Sequence, residues 1–112
     1  VKKDVQFIEK IHQVIEENLD NSDFNIDTIA STIGLSRSAF FKKLKSLTGF
    51  APVDLVKEIR LNKSIELIKN SDMSISEIAF AVGFKDSGYF SKCFRKKYDQ
   101  TPREYMNEWR KS

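Results

Sequence analysis

One stretch of this 112-residue chain occurs twice. Residues 26–34, IDTIASTIG, return at residues 75–83 as ISEIAFAVG, with a shift of 49 positions. Past the glycine the shift becomes 50, and the matched positions include Phe40 with Phe90, Lys42 with Lys92, Lys45 with Arg95, and Pro52 with Pro102. A repeat constrains a fold strongly, because both copies must form the same structural unit.

Each copy has the pattern of a helix, a glycine turn and a second helix. Ser74 and Glu77 have capping-box spacing, and Asn25 is a helix starter at the matching place. The first helix should stop at Gly34 or Gly83, where a left-handed backbone needs no Cβ. The second helix has an apolar face in both copies, formed by Phe40, Leu44 and Leu47, and by Phe90, Phe94 and Tyr98. The pattern predicts two helix-turn-helix motifs, over about 25–48 and 74–98.

The opposite faces of the two second helices are small, polar and basic. Helical spacing of about 100° per residue places these side chains there: Ser38, Phe41, Lys42 and Lys45 in the first copy, and Ser87, Gly88, Ser91, Lys92 and Arg95 in the second. Either face alone is that of an ordinary solvated helix. Two matching basic faces in matching motifs favour contact with DNA, and Phe41 is either core edge or a contact to a thymine methyl.

Positive charge is concentrated in these regions. Residues 34–63 carry seven basic and two acidic side chains, and residues 83–98 carry five basic and one acidic. Residues 1–33 carry three basic and seven acidic side chains. This distribution is typical of a protein that binds a polyanion through part of its surface.

The remaining residues complete an all-α prediction. An amphipathic helix is predicted over residues 4–19, a connector helix over about 52–70, and a closing helix over about 102–110, capped by Thr101 and Glu104. His12 and Cys93 are the only residues of their types, so we expect no catalytic residues, metal site, disulfide or cofactor. A protein-interaction module is the main alternative to DNA binding. RNA binding is disfavoured, since a helix does not fit the major groove of A-form RNA.

The chain resembles the C-terminal DNA-binding domain of AraC/XylS-type transcription regulators over nearly its whole length. The resemblance is carried by IASTIGLSRSAFFKKLKSLTG, by Arg60 and Leu61, and above all by IAFAVGFKDSGYFSKCFRKKYDQTPREY. Three positions depart from the family pattern: Asp99 replaces a usual glycine, Ser64 a usual alanine, and Met106 a frequent arginine.

The resemblance implies a seven-helix domain of two lobes, covering residues 1–112, with both second helices in the major groove. It places base contacts at Arg37, Ser38, Phe41, Lys42, Ser87, Gly88, Ser91 and Lys92. Phosphate contacts are expected at Ser36, Lys45 and Arg95. It also implies a cytoplasmic bacterial-type regulator without membrane contact from this domain, attached to sensory or receiver domains and contacting RNA polymerase if it activates transcription.

The operator should be asymmetric, because the two copies differ at the predicted base contacts. The predicted connector is about 27 Å long at about 1.5 Å per residue. We therefore expect the two second helices to enter successive major grooves, with sub-sites about 10 base pairs apart.

Overall fold

The computed structural model describes residues 2–110 and contains seven helices within that range. They are α1 (Lys2–Glu17), α2 (Ile26–Ile33), α3 (Arg37–Thr48), α4 (Pro52–Asn70), α5 (Ile75–Ala81), α6 (Ser87–Tyr98) and α7 (Pro102–Arg110). The all-α prediction is confirmed. The described residues form two compact units: the first unit holds those up to Leu19 and Asp23–Ile59, and the second holds Asp20–Ser22 and those from Arg60 onward.

The first unit has a core contributed by α1, both helices of the first repeat and the start of α4. Its buried side chains are Phe7, Ile11, Val14, Ile15, Leu19, Ile29, Ala30, Phe40, Leu44, Leu55 and Ile59. α1 ends at Glu17, two residues before the predicted end, where the Asn18 side-chain amide donates to the Val14 carbonyl at 2.9 Å. Leu47, predicted on the buried face, is 39% exposed. The prediction that Leu47 belongs to the buried face is therefore wrong, because the last turn of α3 is not covered at this side chain.

Local caps determine where the repeat helices begin. Asn25 Oδ1 accepts from the Thr28 amide at 3.0 Å at the start of α2. At the start of α5, Ser74 Oγ accepts from the Glu77 amide at 3.1 Å, and the Glu77 carboxylate accepts from the Ser74 amide at 2.9 Å. These hydrogen bonds to Ser74 hold the pKa of Glu77 below its ordinary value. The predicted capping box is confirmed.

The same box recurs at α7. Glu104 accepts from the Thr101 amide at 2.8 Å and its own amide donates to Thr101 Oγ1 at 3.1 Å, which lowers the pKa of Glu104. Just before it, α6 ends at Asp99 with φ of 62°, the left-handed conformation that Gly49 adopts at the matching end of α3 with φ of 79°. The Asp99 amide donates to the Arg95 carbonyl at 2.8 Å. Aspartate thus replaces the usual glycine without loss of the helix end.

Aromatic rings fill the second unit. Phe90 packs against Phe84 and Phe94 at centroid distances of 5.3 and 5.8 Å, and Phe94 packs against Tyr105 at 5.8 Å. Burial, with a smaller contribution from Tyr105, raises the pKa of Tyr98 to about 12. The rings join α6 to the closing helix, and they pack in a core that also holds Leu61, Ile68, Ile78 and Val82.

Two arginines bind backbone carbonyls in the second unit. Arg60 donates from Nη1 to the Gly83 carbonyl at 2.5 Å and from Nη2 to the Asn21 carbonyl at 3.3 Å. Burial lowers the pKa of the Arg60 guanidinium. Arg110 donates to the Ile68 carbonyl at 3.0 Å and the Met73 carbonyl at 2.8 Å. Three of these carbonyls, those of Asn21, Met73 and Gly83, follow helix ends, and the Ile68 carbonyl lies in the last turn of α4, where carbonyls have no partner further along the helix.

Candidate nucleic-acid interface

The second helix of the first helix-turn-helix motif, α3, has one fully buried face. Ser36 begins it, with Oγ accepting from the Ala39 amide at 3.1 Å. Phe40 and Leu44 are both 0% exposed, and the Phe40 ring meets the Phe7 ring edge-on with centroids 6.4 Å apart. Because these two side chains point into the core, the rotation of α3 is fixed and its other side is turned outward.

All the predicted contact residues of the first copy lie on that outward side. Those exposed are Ser36, Arg37, Ser38, Phe41, Lys42 and Lys45. Phe41 is 47% exposed, which places it on the surface rather than in the core. Ser36 uses an acceptor position of its hydroxyl for the cap, and the hydroxyl keeps its donor for a phosphate. The structure therefore brings these six residues together on one helix face.

The second helix of the second motif, α6, also has one fully buried face, but it begins with a different capping residue. Asp86 Oδ1 accepts from the Gly88 amide at 2.7 Å and from the Tyr89 amide at 3.3 Å. Phe90 and Phe94 are 0% exposed. A Cβ added at Gly88 would lie 3.1 Å from Asp86 Oδ1, a tight contact, so the cap favours glycine at this position.

The predicted contact residues of α6 differ in exposure. Gly88, Lys92 and Arg95 are exposed, whereas Ser87 and Ser91 are half-buried. The two serines present less surface than Arg37 and Phe41, their counterparts in α3. The two units therefore share a basic outward face and differ in the side chains nearest the start of the helix.

Basic side chains lie in the last turns of both α3 and α6. Lys45 lies in the last turn of α3, and Arg95, Lys96 and Lys97 lie in the last turn of α6. Positive charge is favourable there because carbonyl groups leave partial negative charge at a helix C-terminus. Burial lowers the pKa of Lys97, which is half-buried with its ammonium 5.3 Å from the Tyr98 ring centroid. Lys45 and Arg95, by contrast, are exposed.

Sequence reasoning missed two side chains beside this interface. Asp27, in the first turn of α2, accepts from Arg37 Nη1 at 3.3 Å through each of its two carboxylate oxygens. Tyr89 is 50% exposed on α6, with its ring 6.0 Å from that of Phe84. The ten-residue separation of Asp27 and Arg37 gives no periodic signal, because the turn between their helices brings them together. Tyr89 could have been predicted from the sequence, because it immediately precedes the buried Phe90 and adjacent helix residues point in different directions.

Other kinds of site find no support in the described residues. Within residues 2–110, no group of three or more His, Cys, Asp and Glu side chains is placed to hold a metal ion. In the same range, each helix is either too short or too polar to cross a membrane.

A double helix-turn-helix with outward basic faces is the architecture of a DNA-binding domain. A family model described as a helix-turn-helix domain matches residues 29–108. The chain belongs to this helix-turn-helix family and is a DNA-binding domain of the AraC type.

Similar proteins support the same assignment. The chain is similar to a solved transcriptional regulator with an AraC-type DNA-binding domain from Chromobacterium violaceum, with 27% identity, a TM-score of 0.86 and 96% of each chain covered. It is also similar to the DNA-binding domain of AdpA, a global transcriptional factor solved with a target DNA, with 28% identity, a TM-score of 0.85, and 94% and 93% of the two chains covered.

Among curated proteins, the chain is 38% identical over 106 residues to Histidine kinase P4 of Formosa agariphila, covering 95% of this chain and 8% of that protein. The chain spans less than a third of the length of the curated relatives it matches, at 8% and 32%.

The family resemblance, the regulatory DNA-binding class and its non-catalytic nature are confirmed. The individual contact residues stay predictions.

Proposed function

We propose that this domain binds one asymmetric site on double-stranded DNA through both helix-turn-helix motifs, about 25–48 and 74–98, and thereby regulates transcription. The observation that carries the proposal is the repeated burial pattern. Phe40 and Phe90, at matching positions, are both 0% exposed, and Lys42 and Lys92 two residues later are both exposed. The same rotation of both helices presents a matched lysine to a ligand.

The proposed contacts divide into base-reading and phosphate-binding groups. Side chains from the start to the middle of each helix read bases: Arg37, Ser38, Phe41 and Lys42 from α3, and Ser87, Gly88, Ser91 and Lys92 from α6. Ser36, Lys45 and Arg95 bind phosphates, which position the helix without reading sequence. Lysine and arginine pair with the O6 and N7 of guanine, and the exposed Phe41 ring suits a thymine methyl.

The domain acts, in this proposal, as the output module of a larger regulator. This proposal is supported by the curated relatives, because the chain matches only 8% and 32% of their lengths and one of them is named a histidine kinase. Other domains of the same protein would then supply the signal. RNA polymerase is a further partner if the regulator activates, and the compartment would be a cytoplasm that contains the DNA.

The proposed use of two successive major grooves is tested by changing the spacing of the sub-sites. Duplexes selected by the protein from a random pool would be footprinted, and five base pairs inserted between the two protected grooves. Half a helical turn moves one sub-site to the far side of the duplex, since a turn is about 10 base pairs. We expect affinity to fall to that of a site with one sub-site scrambled.

The control duplex carries five substituted base pairs at the same place, without an insertion, and should bind as the parent site does. Undiminished affinity for the insertion would contradict simultaneous reading by both units. Equal affinity for selected and random duplexes would contradict sequence-specific binding altogether.

A further inference from the structure

The ion pair between Asp27 and Arg37 joins the two helices of the first motif at their starts. Asp27 lies in the first turn of α2, and Arg37 is the first residue of α3. The Arg37 and Asp27 side chains are 69% and 65% exposed. The pair therefore lies on the surface, at the end of α3 that the proposed function places nearest the bases.

The second unit builds the same motif without this pair. The repeat matches Asp27 with Ser76 and Arg37 with Ser87, so both charged partners are replaced together. α5 and α6 still form and still bury Ile78, Phe90 and Phe94 completely. The helix-turn-helix fold does not need the ion pair, and its presence in one unit calls for a reason other than folding.

A carboxylate at a DNA-binding surface has a cost. It repels the phosphates and lowers affinity for any duplex. Its benefit lies in the hydrogen bonds it accepts. Both Asp27 oxygens accept from Nη1 of Arg37, so the other edge of the guanidinium, formed by Nε and Nη2, takes no part in the ion pair. Among the described residues, those two nitrogens have no hydrogen-bond partner. Their parallel N–H groups form a fork that matches the O6 and N7 acceptors of guanine.

We infer that Asp27 is a positioning residue for Arg37. Its carboxylate holds the guanidinium with the Nε–Nη2 edge turned outward to read a guanine, and so gives the first motif a base preference that the second motif lacks. This inference rests on the proposed function, since it requires α3 to enter the major groove. An arginine that is already held in the conformation that contacts guanine loses less conformational entropy on binding. The preference for guanine over other bases is therefore stronger.

The inference predicts opposite changes in two measured quantities. Asp27→Asn should raise affinity for a random-sequence duplex by about twofold, because one negative charge near the phosphates is gone. The same variant should lower the preference for guanine at one position of the selected duplex by at least about threefold, out of the about 5- to 150-fold expected of a bidentate contact. A change that only weakened the fold would lower both affinities.

The experiment compares five variants by fluorescence anisotropy, using the duplex selected by the parent, its single-base variants and a random duplex. Arg37→Ala should remove the same guanine preference, and Asp27→Asn added to Arg37→Ala should change it no further. Asp27→Ser copies Ser76, the matching residue in the first turn of α5, and repeats the test with an uncharged side chain that this position of the motif accommodates. Glu16→Gln, on the exposed side of α1, removes one negative charge that takes no part in the Asp27–Arg37 ion pair, and it should leave every base preference unchanged.

The result that overturns the inference is specific. Full retention of the guanine preference in both Asp27 variants, or an equal loss in Glu16→Gln, would show that Asp27 does not position Arg37. A gain in affinity for the selected duplex with its preference intact would show instead that Asp27 restrains the arginine. A parent protein that binds selected and random duplexes equally would refute the proposed function and is distinguishable from each of these.

Discussion

Two adjacent phenylalanines in α3 test the division of this helix into a buried and an outward face. Phe40 is 0% exposed and packs edge-on against Phe7, whereas Phe41 is 47% exposed. Phe40→Ala should lower the free energy of unfolding by about 3–5 kcal/mol, because a whole buried ring is replaced by a cavity. Small domains have about 5–15 kcal/mol in total, so the loss is a large part of it.

Phe41→Ala is the matched control on the same helix. Burying a whole phenylalanine side chain contributes about 1.5–3 kcal/mol, and Phe41 is only about half buried, so its removal should cost about 0.8–1.5 kcal/mol. Its effect should appear in DNA binding instead, as a weaker preference at one base pair if the ring contacts a thymine methyl.

Urea unfolding followed by far-ultraviolet circular dichroism measures the difference. With a urea slope of about 2 kcal/mol per molar, Phe40→Ala should lower the midpoint by about 2 M, and Phe41→Ala by less than about 1 M. Equal midpoints for the two variants, or a larger loss from Phe41→Ala, would mean that the two faces of α3 have been exchanged. The basic face would then point into the protein, and the proposed interface would fail.

The remaining predictions concern charge. Lys45→Ala and Arg95→Ala should each flatten the dependence of log affinity on log salt by about 0.9, measured between about 50 and 200 mM, without changing base preference. Lys42→Ala and Lys92→Ala should instead relax preference at one base pair, and unchanged slopes and preferences in all four variants would reject the assignments. Glu77 has a pKa below its ordinary 4.5, so its ionised form stabilises the native state above that value and the contribution disappears as pH falls through the lowered pKa. The stability difference between the parent and Glu77→Gln should be present at about pH 7 and shrink as the pH falls below 4.5, and a difference that stays constant in acid would contradict the capping role.

Much of this protein follows from the sequence alone, because the relevant interactions are local. The capping box at Ser74 and the cap at Asn25 join residues three apart, and helical periodicity placed Phe40 and Phe90 on the buried faces. The repeat then required both copies to fold alike. Interactions within one helical turn depend on the residues in that turn, and so they can be read before the fold is known.

Tertiary structure decided the contacts between residues that lie far apart in the chain. Arg37 meets Asp27 ten residues away, and Arg60 meets the Gly83 carbonyl 23 residues away. Leu47 has the periodicity of a core residue but is 39% exposed. Periodicity specifies which way a side chain points along its own helix. What lies opposite that side chain depends on the turns that direct the next helix and on how far the neighbouring helices reach, and those are properties of the folded chain.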